Sequence, residues 1–280
     1  MEELPLGVMM GVGENPTERL AKIRAMGFTT VQMGCPPPEF WSGEKLQMIK
    51  EAVGKSGVRV TTVFMGFRGE SYADIPTVRR TVGFVPPETR AERLEVGKRI
   101  CDFAHELGVE TVAAHIGFVP EDRSDPNYKE ALSVVREIAD YCKARSMRFA
   151  LETGQEGGEV LLRFLRDVGR DNVKVNFDPA NMILYGSGDP IEALELVGSY
   201  VVGVHCKDGN WPTQADQLGH EMPLGQGQVG IERFVGKLVE IGYRGPLTIE
   251  REITGEQQAA DIMKARDLLE SLKAKLLPPR

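Results

Sequence analysis

The chain has 280 residues, 41% of them hydrophobic and 27% charged, with a net charge of -7, enough length for one large α/β domain. The excess of carboxylates argues against a nucleic-acid partner, whose phosphates need clustered Lys and Arg. No apolar run reaches the roughly 20 residues of a bilayer span, and MEELPLGVMM lacks the basic start and long apolar stretch of a signal peptide; a cytoplasmic protein without a membrane partner is expected.

Leu4 to Gly11 reads as a first strand, and PTERLAKIRAMG as a helix with Leu20, Ile23 and Met26 on one face. FTTVQMG is a second strand, followed by the CPPPEF loop and the helix GEKLQMIKEAVGKSG. VRVTTVFMGF is a third, rich in β-branched residues. Residues 68–87 form the longest irregular stretch, with Tyr72, Asp74, Pro76 and Phe84, and a loop of that length suggests a lid. ETRAERLEVGKRICDFAHELG is the third helix, VETVAAHIGF the fourth strand and PNYKEALSVVREIADYCKARS the fourth helix. MRFALETG, NVKVNFDPANMI, VVGVHCKDGN and YRGPLTIEREI read as strands five to eight. Between them lie the helices GEVLLRFLRDVG, DPIEALELVGSY (opened by Asp189 and Pro190) and IERFVGKLVEIG. The segment PTQADQLGHEMPLGQGQVG precedes the last of these and is a second lid candidate. A long helix, GEQQAADIMKARDLLESLKAKL, closes the chain.

Eight strand–helix units imply right-handed parallel crossovers and match a (β/α)8 TIM barrel, which usually needs about 250 residues. With no linker or repeat, residues 1–280 are read as one domain. A doubly wound sheet is the alternative, but GVGENP after the first strand lacks the third glycine of a dinucleotide fingerprint. The four cysteines form no CxxC pair and read as reduced thiols. Cys101 and Cys142 belong to helical core patterns, and Cys35 and Cys206 to strand ends.

The chemistry gathers where strands five to eight end. Glu152, Asp178, His205 and Glu250 each sit at such an end, the edge where barrels build their sites. A lone carboxylate there often only caps a helix. Four groups converging as an O,O,N,O set suit one divalent cation: Mn²⁺ first, with Mg²⁺, Co²⁺ or Zn²⁺ as alternatives. Such an ion, chelated by a carbonyl and a neighbouring hydroxyl, favours proton transfer beside the carbonyl through an enediolate.

The motifs ALETG, NFDPAN followed by YGSGDP, VHCKD, PLGQGQVG and GYRGPLTIE resemble the sugar phosphate isomerase/epimerase superfamily of xylose isomerase-like TIM barrels, with its tagatose 3-epimerase-like and inosose dehydratase-like members. The resemblance runs from the first strand to the last. It implies that Glu152, Asp178, His205 and Glu250 bind one metal and that Glu152 and Glu250 double as the acid/base pair. Ketohexose 3-epimerases carry a substrate-binding His three residues after the metal Asp. Asn181 stands there in this chain and is expected to contact substrate, while Lys207 and Asp208 occupy the neighbourhood of those enzymes' arginine.

Other substrate contacts are expected from His115 at the end of strand four, Lys207 two residues past His205, Glu156 in the loop after Glu152, and Trp211, which can stack on a sugar face. For Lys207 a salt bridge, and for Trp211 plain packing, are the competing readings. His105 reads as structural. The function expected is a metal-dependent isomerase or epimerase of a keto sugar or cyclitol, with a dehydratase on the same scaffold as the alternative. An endonuclease IV-like nuclease is remote, since its three zinc ions need more histidines than this chain's four. A homo-oligomer is left open.

Overall fold

Each apolar run is followed by a helix whose buried residues recur at helical spacing, so the chain must return along the outside of its own sheet. In the helix Gly158–Val168 the buried positions are Leu161, Phe164, Leu165 and Val168. In Ile231–Glu240 they are Ile231, Phe234, Val235 and Leu238. Both are an i, i+3, i+4, i+7 stripe, and each fully buried Leu, Ile or Phe contributes about 1.5–3 kcal/mol.

The computed structural model describes residues 3–277. Its strands are β1 (Leu6–Gly11), β2 (Thr30–Gly34), β3 (Arg59–Phe64), β4 (Thr111–Ala114), β5 (Arg148–Glu152), β6 (Val173–Phe177), β7 (Val201–Cys206), β8 (Asp208–Asn210), β9 (His220–Met222) and β10 (Leu247–Ile249). Eight of them close into one barrel in the order β1-β10-β7-β6-β5-β4-β3-β2. The pairings are parallel, and the fold is a (β/α)8 TIM barrel. The helices are α1 (Pro16–Ala25), α2 (Gly43–Ser56), α3 (Ile75–Thr81), α4 (Pro87–Glu106), α5 (Pro126–Lys143), α6 (Gly158–Val168), α7 (Pro179–Tyr185), α8 (Pro190–Val197), α9 (Ile231–Glu240) and α10 (Glu256–Leu276). None of the described helices is long and apolar enough to cross a membrane.

The core lies between barrel and helices, where Phe177 stacks on Phe234 with ring centroids 6.0 Å apart. Cys101 and Cys142 are buried there.

The structure corrects three readings of the sequence. The expected strand 172–183 ends at Phe177. Asp178 then caps α7, its Oδ1 accepting the Asn181 N–H at 2.9 Å, with a proline at the helix start. The stretch 68–87 is not wholly irregular. Asp74 accepts the Thr77 N–H at 2.7 Å and opens α3. The second long loop contains the antiparallel pair β8–β9. These two segments meet over the mouth of the barrel, where the Ile75 N–H donates to the Asp216 carbonyl at 3.1 Å.

The β7–α9 segment hangs on one buried carboxylate. Asp208 accepts four backbone N–H groups, those of Gly209, Gly225, Gly227 and Val229, at 2.9–3.1 Å. Gly227 is required for this approach, because a Cβ there would collide with Asp208 Oδ1. An unpaired buried donor costs about 1–3 kcal/mol. Asp208→Ala is therefore expected to destabilise the protein by about 2–4 kcal/mol, read in a thermal melt. Hydrogen exchange should accelerate at Gly225, Gly227 and Val229 while the barrel strands stay protected.

Candidate active site

β-strand alternation aims every second side chain into the barrel. On β7 this selects Gly203 and His205, and Lys207 just beyond. On β6 it selects Asn176, with Asp178 just beyond. Glu152 ends β5, and Glu250 follows β10 directly. One ligand atom from each of Glu152, Asp178, His205 and Glu250 lies within 4.8 Å of the other three. His205 Nδ1 is 2.9 Å from Glu152 Oε1, 3.2 Å from Glu250 Oε2 and 3.5 Å from Asp178 Oδ2. The three carboxylates thus surround one imidazole nitrogen.

These separations carry a chemical signature. Ligands bonded to an octahedral ion at about 2.1 Å stand roughly 3 Å apart when adjacent, and His205 Nδ1 stands 2.9–3.5 Å from the three carboxylates. Glu152 Oε1, Asp178 Oδ2 and His205 Nδ1 are buried yet have no hydrogen-bond partner, although Glu152 Oε1 and His205 Nδ1 are within bonding distance. The distance is right and the direction is wrong for a hydrogen bond. Atoms that point at a common centre, and not at one another, fit a cation between them. The four residues therefore suit one divalent ion.

Electrostatics agree. Burial pushes the Glu152 carboxyl up to about 7, against the pull of His205. Burial also opposes ionisation of Glu250, but the charges of His205 and Lys207 hold it well below the ordinary carboxylate range. His205 is pushed down by burial and more strongly up by Glu250 and Glu152, ending well above its usual value.

Above the tetrad opens a cavity of about 560 Å³ whose lining includes Phe64, Tyr72, His115, Asn181, Tyr185 and Glu250. His115 faces it between the rings of Phe64 and Tyr72, 5.8 and 5.7 Å away. Burial depresses its pKa to about 4, so it is neutral at pH 7. Lys207 is buried, and its Nζ lies 3.2 Å from both Asn181 Oδ1 and Glu250 Oε2 and 3.1 Å from Glu252 Oε1. Its salt bridges thus join it to the site. Burial holds the Cys35 and Cys206 thiols up at about 12, which leaves both protonated and poor nucleophiles.

Two of the expected substrate contacts lie elsewhere. Glu156 is buried with Oε1 accepting the Val119 N–H at 2.8 Å, and it lines a neighbouring cavity. Trp211 packs half-buried against the core and is absent from the lining of the main cavity. The cavity also brings in Glu70, Glu221, Glu252 and Tyr185, which the sequence did not single out. Glu70 is held by the N–H groups of Phe67 and Gly83, contacts that no local motif announces.

With the four side chains alone, His205 carries a proton at neutral pH and Glu152 is partly protonated, and a cation has to displace both. Protons are released on binding, so affinity for Mn²⁺ is expected to rise as pH increases from 6 to 8. Calorimetry in buffers of different ionisation heat should register the released protons.

The family profile described as xylose isomerase-like TIM barrel matches residues 20–274. The L-ribulose-5-phosphate 3-epimerase of Salmonella paratyphi A is 25% identical over 300 residues, covering 98% of this chain and 96% of that protein. The crystal structure of a xylose isomerase domain protein from Planctomyces limnophilus is 44% identical, with a TM-score of 0.93 over 98% of this chain and 99% of that one. A xylose isomerase-like TIM barrel protein from Mycobacterium smegmatis, solved in complex with magnesium, has the same fold at 18% identity, with a TM-score of 0.71 over 98% of both chains. Its closed parallel barrel and a family match over most of its length show that the chain belongs to the xylose isomerase-like TIM barrel family.

Proposed function

We propose that this protein is a divalent-metal-dependent epimerase or isomerase of an unphosphorylated keto sugar or cyclitol. The observation that carries the reading is the convergence of Glu152, Asp178, His205 and Glu250 within 4.8 Å of one another, beneath a cavity that Glu250 lines. That cavity's size falls within the roughly 300–1,000 Å³ of small-molecule sites. Mn²⁺ is the first choice for the O,O,N,O set, and the bound ion would supply Lewis acidity toward a carbonyl oxygen and its neighbouring hydroxyl.

The protein's own groups do the rest. Glu152 on β5 and Glu250 after β10 approach from different sides of the barrel, separated around it by β6 and β7. One takes the proton from the carbon beside the carbonyl. The other delivers a proton to the opposite face and inverts that carbon. Return of the proton to the neighbouring carbon would instead exchange ketose and aldose. Lys207 fixes Glu250 by a 3.2 Å contact and places a permanent positive charge beside the oxygen that becomes negative. Neutral His115 can donate to or accept from a substrate hydroxyl. Phe64 and Tyr72 provide apolar walls for the sugar's carbon face.

Charge supports the unphosphorylated class. Glu70, Glu221, Glu250 and Glu252 all line the cavity, and Lys207 adjoins it. A phosphate would meet carboxylates there, in contrast to the 5-phosphate named for the Salmonella relative. The same acidic rim opposes a nucleic-acid substrate.

A panel of keto sugars, inososes and their phosphates, followed by NMR in D₂O, tests this. Deuterium is expected beside the carbonyl of an unphosphorylated substrate, and Glu152→Gln and Glu250→Gln should each slow exchange by about 10²–10⁴-fold. Exchange that survives both substitutions, or that requires a phosphate, would contradict the proposal. A dehydrated product would move the assignment to the lyase alternative.

A further inference from the structure

Beneath the candidate ligands, two amides cross the barrel where an apolar interior would be expected. Gln32 on β2 and Asn176 on β6 are 1% and 0% exposed. Gln32 Nε2 donates to Asn176 Oδ1 at 2.8 Å, and Asn176 Nδ2 donates to Glu152 Oε2 at 2.6 Å. His205 Nε2 lies 3.0 Å from Gln32 Oε1.

With Glu152 ionised and His205 neutral, the forms that a cation ligand requires, the donors and acceptors in this chain leave one consistent assignment. An ionised Glu152 can only accept, so the amide nitrogen of Asn176 faces it. Asn176 therefore turns its oxygen to Gln32, which must answer with its nitrogen. That leaves the Gln32 oxygen facing His205 Nε2, so Nε2 carries the proton and donates. The 3.3 Å approach of Asn176 Nδ2 to the same Nε2 then joins two donors and is not a bond. The neutral imidazole is fixed as the tautomer whose lone pair is on Nδ1, the atom that faces the three carboxylates. The same chain occupies Glu152 Oε2 and leaves Oε1 for the cation site.

A third residue makes room for this arrangement. Gly203 faces Asn176 in the β6–β7 register. A Cβ at Gly203 would collide with Asn176 Oδ1 and come within 3.2 Å of Gln32 Nε2. The missing side chain on β7 and the two amides thus form one device.

We infer that Gln32 and Asn176, accommodated by Gly203, are positioning residues that set the His205 tautomer and the Glu152 carboxylate for cation binding. The inference rests on the cation site of the proposed function, and it adds residues that never touch the cation. Outer partners of metal ligands commonly change affinity by about 10–100-fold.

Isothermal titration of the full-length protein with Mn²⁺ and with Mg²⁺ tests it, beside Gln32→Leu and Gly203→Ala, with circular-dichroism melts to verify folding. Both folded variants are expected to bind about 10–100-fold more weakly than the unaltered protein. Unchanged affinity in folded Gln32→Leu would overturn the inference and leave the cation site standing. No binding of either ion by the unaltered protein would overturn the site and the inference together. Should the variants fail to fold, long-range ¹H–¹⁵N NMR of the unaltered, Mg²⁺-loaded protein decides. A proton on Nε2 of His205 supports the inference, and a proton on Nδ1 overturns it.

Discussion

Three carboxylates held within 4.8 Å of one another with little exposure are the constraint on which this structure turns. Two like charges about 4 Å apart repel by roughly 4 kcal/mol at an effective dielectric of about 20. A fold that keeps three of them together has to supply positive charge. With the side chains alone, His205 and Lys207 supply it, and each is held charged by the carboxylates around it, against the effect of burial; on binding, the cation would take the place of the His205 proton. The ligand atoms that lack hydrogen bonds mark where it would sit.

The barrel makes the cluster affordable by spreading its four residues over strands that are rigid and separately anchored. β5, β6, β7 and β10 follow one another around the cylinder, so the ligands converge from an arc, and no single flexible loop has to carry two of them. The opposite arc supplies the walls of the cavity: Cys35 after β2, Phe64 at the end of β3 and His115 after β4. Two loop segments meet overhead through Ile75 and Asp216. The Asp208 carboxylate pins the second of them by its backbone. Chemistry, wall and roof thus use different parts of the same eight-fold repeat.

Much of this was legible in the sequence. Apolar runs alternating with amphipathic helices specify a parallel barrel. A charged residue closing an apolar run is conspicuous, and that is how Glu152, Asp178, His205 and Glu250 stand out. Short elements were harder to read. Helix α7 begins inside NFDPAN, where Asp178 is both cap and candidate ligand, and the helix's apolar residues continue those of β6 without a break in pattern. Helix α3 spans only Ile75–Thr81, too short for a periodic signal. Gln32 and Asn176 each leave a trace, a polar residue between two apolar strand neighbours. Which amides pair across a barrel is a matter of register between β2 and β6, 144 residues apart. Trp211 and Glu156 illustrate the converse. Sequence places them after the right strands, but loop geometry sends one to the core and the other to a neighbouring cavity.

The most direct test of the account is anomalous diffraction from crystals of the protein grown with Mn²⁺. One manganese peak bonded to Glu152, Asp178, His205 and Glu250 is the result the account predicts. An ion bound elsewhere in the barrel, or no peak at the four side chains at saturating Mn²⁺, would contradict it.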